Sequence, residues 1–171
     1  MPEITEGSKA PAFDMATAGG GRVSLDGLTG RTVVLYFYPK ADTPACTTEG
    51  QDFSALIGSF DETGAVVIGV SRDPVKKLDR FKAKYDFKVI LASDEPEDVT
   101  EAFGVWVQKK LYGREYMGIE RATFLIDGAG VVRRIWRKVS VKNHAAEVLA
   151  AVQSLLSRND PEPAGDVTGV P

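Results

Sequence analysis

The sequence predicts an α/β fold, with a mixed central β-sheet flanked by helices on both faces. Residues 33–38 and 65–70 are apolar at every position rather than at alternate ones, which marks strands covered on both sides. Stretches with helical spacing follow each of them, so strands and helices alternate along the chain. Residues 122–127 and 131–136, joined by Gly128-Ala129-Gly130, then read as a late β-hairpin that adds antiparallel strands.

The remaining elements follow in order. Residues 12–15 and 22–25 flank Ala18-Gly19-Gly20-Gly21 and predict an N-terminal β-hairpin with a glycine turn. A phosphate-cradling loop would need a helix to open after the glycines, and no helical pattern begins there. The strand at 33–38 stops at Pro39. Thr43 is then placed to cap a helix, Pro44 suits its first position, and Phe53, Leu56, Ile57 and Phe60 fall on one face. Gly64 ends that segment. After the second apolar strand, Asp73 is the expected N-cap and Pro74 the first residue of a helix. Leu78, Phe81 and Tyr85 form its core stripe, and Lys76, Lys77, Lys82 and Lys84 its solvated face. A short strand is expected at 87–91 and a short helix at 98–103, followed by a long connection over 104–118 rich in lysine, glycine and aromatics. Asn143 is the expected cap of a last helix carrying Val148, Leu149, Val152, Leu155 and Leu156. The β-α-β crossover should be right-handed.

A chain of 171 residues predicts one domain, over residues 1–157. Residues 158–171, marked by prolines, glycines and an acidic excess, are expected to form a disordered tail. The net charge of −3 argues against nucleic acid or an anionic membrane as partner, and no apolar run approaches the about 18 residues needed to span a bilayer. Without the three acids of the tail, the 24 acidic residues fall level with the 21 Lys and Arg. The N-terminus is polar and acidic, unlike a secretory signal, and the single cysteine permits no intrachain disulfide. The expected compartment is the reducing cytoplasm.

That cysteine, Cys46, carries the chemistry. A lone cysteine is usually a small buried hydrophobe. Here it falls in the first turn of a helix that follows a strand, where unpaired N–H groups and the macrodipole favour an anion by up to about 2 kcal/mol. A neighbouring guanidinium would add to that, which makes Cys46 a candidate nucleophile. His144, the only histidine, starts the last helix and is read as a surface or capping residue rather than the base of a Cys-His dyad. One histidine and one cysteine supply no recognisable zinc set, and neither a metal nor a cofactor is expected. Trp106 and Tyr112 are read as packing over the core in preference to lining a substrate path.

Residues 37–49, Phe-Tyr-Pro-Lys-Ala-Asp-Thr-Pro-Ala-Cys-Thr-Thr-Glu, resemble the peroxidatic motif of the peroxiredoxins, and more narrowly of the bacterioferritin-comigratory-protein (PrxQ) subfamily. The pattern Pro-x-x-x-Thr-x-x-Cys falls on Pro39, Thr43 and Cys46. Gly104-Val105-Trp106 with Lys109-Lys110, and residues 118–127 around Arg121, agree as well, and the similarity runs from about Gly7 to Leu156. The resemblance implies a thioredoxin fold and a thiol-dependent peroxidase acting on hydrogen peroxide and organic hydroperoxides. It implies Cys46 as nucleophile, oxidised to sulfenic acid, with the Thr43 hydroxyl, the Cys46 N–H and the Arg121 guanidinium as donors and Pro39 as a shield.

One departure stands out. Many members of the subfamily carry a resolving cysteine five residues after the first or in the next long helix. Here Gln51 holds the first position, and residues 81–84 contain no cysteine. The expectation is a one-cysteine peroxidase recycled by an external thiol, either thioredoxin directly or a low-molecular-weight thiol with a glutaredoxin-like partner, and a monomer. The rival reading is a redox-sensing or protein-binding thioredoxin-fold module without turnover. A dithiol oxidoreductase would need a Cys-x-x-Cys pair.

Overall fold

The computed structural model describes residues 3–159. In chain order the elements are β1 (Asp14–Thr17), β2 (Arg22–Ser24), β3 (Val33–Phe37), α1 (Pro44–Ala55), α2 (Ile57–Thr63), β4 (Val66–Ser71), α3 (Val75–Tyr85), β5 (Ile90–Ser93), α4 (Asp98–Ala102), β6 (Trp106–Leu111), β7 (Arg114–Ile119), β8 (Ala122–Ile126), β9 (Val132–Trp136) and α5 (His144–Asn159).

Seven strands form one sheet in the order β2-β1-β5-β4-β3-β8-β9. β3, β4 and β5 are parallel, while β8, β9, β1 and β2 join antiparallel, so the sheet is mixed as expected. The unbroken apolar run of β3 follows from burial on both faces. Val33, Leu35 and Phe37 enter a core with Phe103 and Phe124, and Val34, Tyr36 and Tyr38 enter another with Phe53, Leu78 and Val148. α1, α2, α3 and α5 supply the second core, and α4 packs on the first. The N-terminal hairpin is present, with Met15 opposite Val23 and with Gly19 and Gly20 at positive φ in its turn.

Some boundaries differ. The segment after Thr43 breaks at Leu56, whose φ of −100° and ψ of 8° separate α1 from α2, and Gly64 ends α2 in the left-handed region. Pro74, not Asp73, is the N-cap of α3. The Asp73 carboxylate instead accepts from the Ala41 N–H and the Ser71 hydroxyl, each at 2.8 Å, which ties the end of β4 to the loop after β3. The strand expected at 87–91 runs later, over Ile90–Ser93.

The connection at 104–118 is a hairpin of its own, β6–β7, outside the main sheet. Its two-residue turn, Tyr112-Gly113, has φ of 52° and 77°, the positive pair such turns require. α5 buries Val148, Val152 and Leu155 but leaves Leu156 largely exposed, and Asn143 before it sits at φ 60°. α5 extends to Asn159, two residues past the expected boundary, and the acidic tail beyond lies outside the described residues.

Candidate active site

β3 delivers the chain to Pro39, half-buried at the point where the strand ends, and a short loop then turns into α1. Two clasps fix that loop. The Ala41 N–H bonds to Asp73, and Asp42, at φ 61°, accepts from the Tyr85 hydroxyl at 2.8 Å and the Lys84 ammonium at 3.0 Å. Those two donors hold the Asp42 carboxyl below its ordinary range. A non-glycine residue in the left-handed region is strained, and it persists where side-chain bonds over-determine it.

Thr43 occupies the N-cap position in extended conformation, but its hydroxyl makes no cap bond to the helix. It donates to the Lys40 carbonyl at 2.7 Å. Its hydrogen is therefore committed, and what the hydroxyl offers a third group is an acceptor lone pair, not the donor expected from the sequence. The N–H of Cys46 lies in the first turn, where no intrahelical acceptor is available.

The Cys46 thiol is 2% exposed, on the inner side of α1. Arg121 reaches it from the two-residue link between β7 and β8, with Nη2 3.4 Å from Sγ. The same guanidinium donates through Nη1 to Glu49 Oε1 at 2.6 Å. Glu49 lies three residues after Cys46, on the same side of α1, and is 1% exposed. Burial pushes its carboxyl up to about 7, against the pull of Arg121, and Oε2 has no hydrogen-bond partner among the described residues. Burial opposes the charge on Arg121, yet Glu49 and Cys46 outweigh it and hold the guanidinium above its ordinary value. The link that carries Arg121 is pinned on both residues: Glu120 accepts from Arg137 through both oxygens at 2.8 Å and from the Lys138 N–H at 2.9 Å, and the Arg121 carbonyl accepts from the Val139 N–H at 3.0 Å.

The structure thus brings Cys46, Arg121 and the first turn of α1 together, with Thr43 and Pro39 on the adjoining loop. Sequence reasoning assigned no role to Glu49; its signal was an acid one helical turn from the thiol. His144 is not a surface residue. It is buried, its Nε2 lies 2.8 Å from the Thr123 hydroxyl, and its ring meets Phe53 and Trp136 edge-on. Burial, helped by the charge of Arg121, pushes it down to about 4. Trp106 lies against the core under the Arg72 guanidinium, 3.5 Å from the ring centre, whereas Tyr112 is 95% exposed at the hairpin tip, away from the core.

Residues 7–135 match the AhpC/TSA family. Peroxiredoxin Bcp of Bacillus subtilis is 47% identical over 152 residues, covering 89% of this chain and 97% of that protein. The chain belongs to the AhpC/TSA family, among its Bcp/PrxQ peroxiredoxins. It is a thiol-dependent peroxidase with a thioredoxin fold. A structure of the Xanthomonas campestris bacterioferritin comigratory protein, from work on its alkyl peroxide reduction, superposes with a TM-score of 0.80 at 46% identity, covering 84% of this chain and 91% of that one. Xylella fastidiosa PrxQ, as a cysteine-to-serine variant, gives 0.85 at 36% identity, over 91% and 99% of the two chains. Separate structures of the Xanthomonas peroxiredoxin replace two different cysteines, where this peroxiredoxin has one.

Proposed function

We propose that this peroxidase works through Cys46 alone and reduces hydrogen peroxide and alkyl hydroperoxides, the latter by analogy with the Xanthomonas protein. The observation that carries this reading is the Arg121 guanidinium placed 3.4 Å from Cys46 Sγ. A fixed cation there favours the thiolate and, as the O–O bond lengthens, the negative charge gathering on the leaving oxygen.

The Cys46 thiolate attacks one peroxide oxygen and the O–O bond breaks; the proton of the attacked oxygen passes to the other, which departs as water or alcohol, and the sulfenate left on sulfur takes a proton from solvent to become sulfenic acid. Arg121 and the Cys46 N–H donate to the oxygens. The Thr43 hydroxyl, with its hydrogen on Lys40, accepts from the peroxide O–H and orients it. Pro39 closes the pocket beside the thiol. With no second cysteine, an external thiol completes the cycle through a mixed disulfide, supplied by thioredoxin or by a small thiol with a glutaredoxin-like partner. We place the protein in the cytoplasm as a monomer.

Peroxide consumption with a thiol donor tests this. Cys46→Ser should abolish it, and equal rates in the two proteins would overturn the reading. Intact mass after peroxide and thiol should show one thiol adduct on Cys46.

A further inference from the structure

The β6–β7 hairpin runs straight into Glu120 and Arg121, so Gly118 on β7 stands three residues before the arginine that holds Cys46. The register sets Val107, Lys109 and Leu111 opposite Gly118, Tyr116 and Arg114, and opposed residues project from the same face. Gly118 leaves room for its neighbour: a methyl there would meet Lys109 Cδ at 3.2 Å and Cε at 3.5 Å, so the lysine stem lies along bare backbone.

Lys109 is half-buried as a residue, and among the described residues its ammonium has neither an ion pair nor a hydrogen bond. The charges of Arg121, Cys46 and Glu120 all reach it. Neither Glu120 nor Cys46 pairs with it directly. Glu120 is committed to Arg137 and Lys138, and Cys46 to Arg121. Burial first, and then Arg121, loosen the hold of Lys109 on its proton, against the opposite pull of Cys46 and Glu120. The same face adds the Arg114 cation and the exposed Leu111 and Tyr116, an apolar wall beside two positive charges.

We propose that Lys109 selects the reductant: it receives the carboxylate of a low-molecular-weight thiol acid whose sulfur attacks oxidised Cys46. The proposal rests on the one-cysteine reading, in which a thiol from outside must reach a nearly inaccessible sulfur. The reductant thiolate forms an S–S bond to the Cys46 sulfenic sulfur while the S–O bond breaks. The departing hydroxide takes up the proton that the thiol released and leaves as water. A second thiolate then attacks the reductant sulfur of the mixed disulfide, which frees the Cys46 thiolate and gives the oxidised reductant disulfide.

The test uses preformed Cys46 sulfenic acid and three small thiols, mercaptopropionate, mercaptoethanol and cysteamine, with rates compared per thiolate. Wild type should prefer the anionic thiol over the neutral one, and the neutral over the cationic one, with the preference shrinking as salt is added. In Lys109→Gln the anion-to-cation rate ratio should fall about tenfold, because a point charge acts with opposite sign on the two thiols. Lys109→Arg should keep the ratio. Gly118→Ala, which displaces the lysine stem but leaves its charge, should lower it. A ratio that is the same in wild type and Lys109→Gln, or three thiols slowed equally, overturns the proposal. Absence of sulfenic acid in wild type after peroxide overturns the one-cysteine reading itself, so the two failures are distinguishable.

Discussion

Arg121 holds Cys46 and Glu49 with the two arms of one guanidinium: Nη2 lies 3.4 Å from Sγ, and Nη1 lies 2.6 Å from Glu49 Oε1. The thiol and the acid sit one turn apart on α1, and the arginine comes from the link between β7 and β8. A charge carried at the start of β8, the strand beside β3, is thereby fixed against a helix N-terminus. The rigidity matters because a donor already in place needs no reorganisation when charge develops in the transition state.

Arg121→Met should lower the rate of Cys46 oxidation by peroxide about 100- to 1,000-fold, the usual loss on removing one preorganised donor. The apolar stem keeps much of the packing volume, so far-UV circular dichroism should stay unchanged. A rate within threefold of wild type would remove Arg121 from the chemistry.

Thr43→Val should slow the same step about 10- to 100-fold, the range for losing a hydrogen bond to a charged or reacting group. Thr43→Ser keeps the hydroxyl and its bond to Lys40, and should retain most of the activity. Equal losses in the two would show that the methyl, and not the hydroxyl, carries the effect. Stopped-flow oxidation of the thiol reads both.

Glu49 makes stability depend on pH in an unusual direction for a carboxylate. Its folded-state value is raised from the ordinary 4.5 to about 7, so between those limits the native state holds a proton that the unfolded chain has released. Stability from this group is full below pH 4.5 and is lost as pH rises through 7. Urea denaturation should therefore show wild type falling by roughly 1–3 kcal/mol relative to Glu49→Gln across that interval. A constant difference between the two proteins would mean that Glu49 is ionised throughout.

Much of this site can be read in the chain because its rules are local. The strand-to-helix junction at Pro39, Thr43 and Pro44 follows from proline geometry and capping preference, and it fixes Cys46 in the first turn without tertiary information. Arg121 is different: 75 residues separate it from the thiol, and only the motif around it pointed to the site. Glu49 escaped for a physical reason. A glutamate in a helix normally faces water, and this one is buried because Arg121 arrives from 72 residues away. The β6–β7 hairpin escaped because its strands mix polar and apolar residues without alternation and its turn is Tyr-Gly, where Asn-Gly or Asp-Gly would have announced it. His144 looked like a surface residue because it opens α5, while the Thr123 hydroxyl that satisfies it lies on β8, 21 residues away.

His144 supplies a prediction of the opposite sign to that of Glu49. Its imidazole is pushed from the ordinary 6.5 to about 4 by burial and by the charge of Arg121, and it is held neutral against Thr123. Between those values the unfolded chain binds a proton that the native state refuses, so stability is present above pH 6.5 and is lost as pH falls toward 4. The wild-type protein should lose roughly 1–3 kcal/mol over that range relative to His144→Gln, which has no charge to gain. The two groups work against each other between pH 4.5 and 6.5, so the wild-type profile alone will look flat there. Separate urea titrations of Glu49→Gln and His144→Gln resolve them: the first should become less stable with acid and the second more stable. Parallel profiles for the two variants would show that neither group changes protonation between the folded and unfolded states.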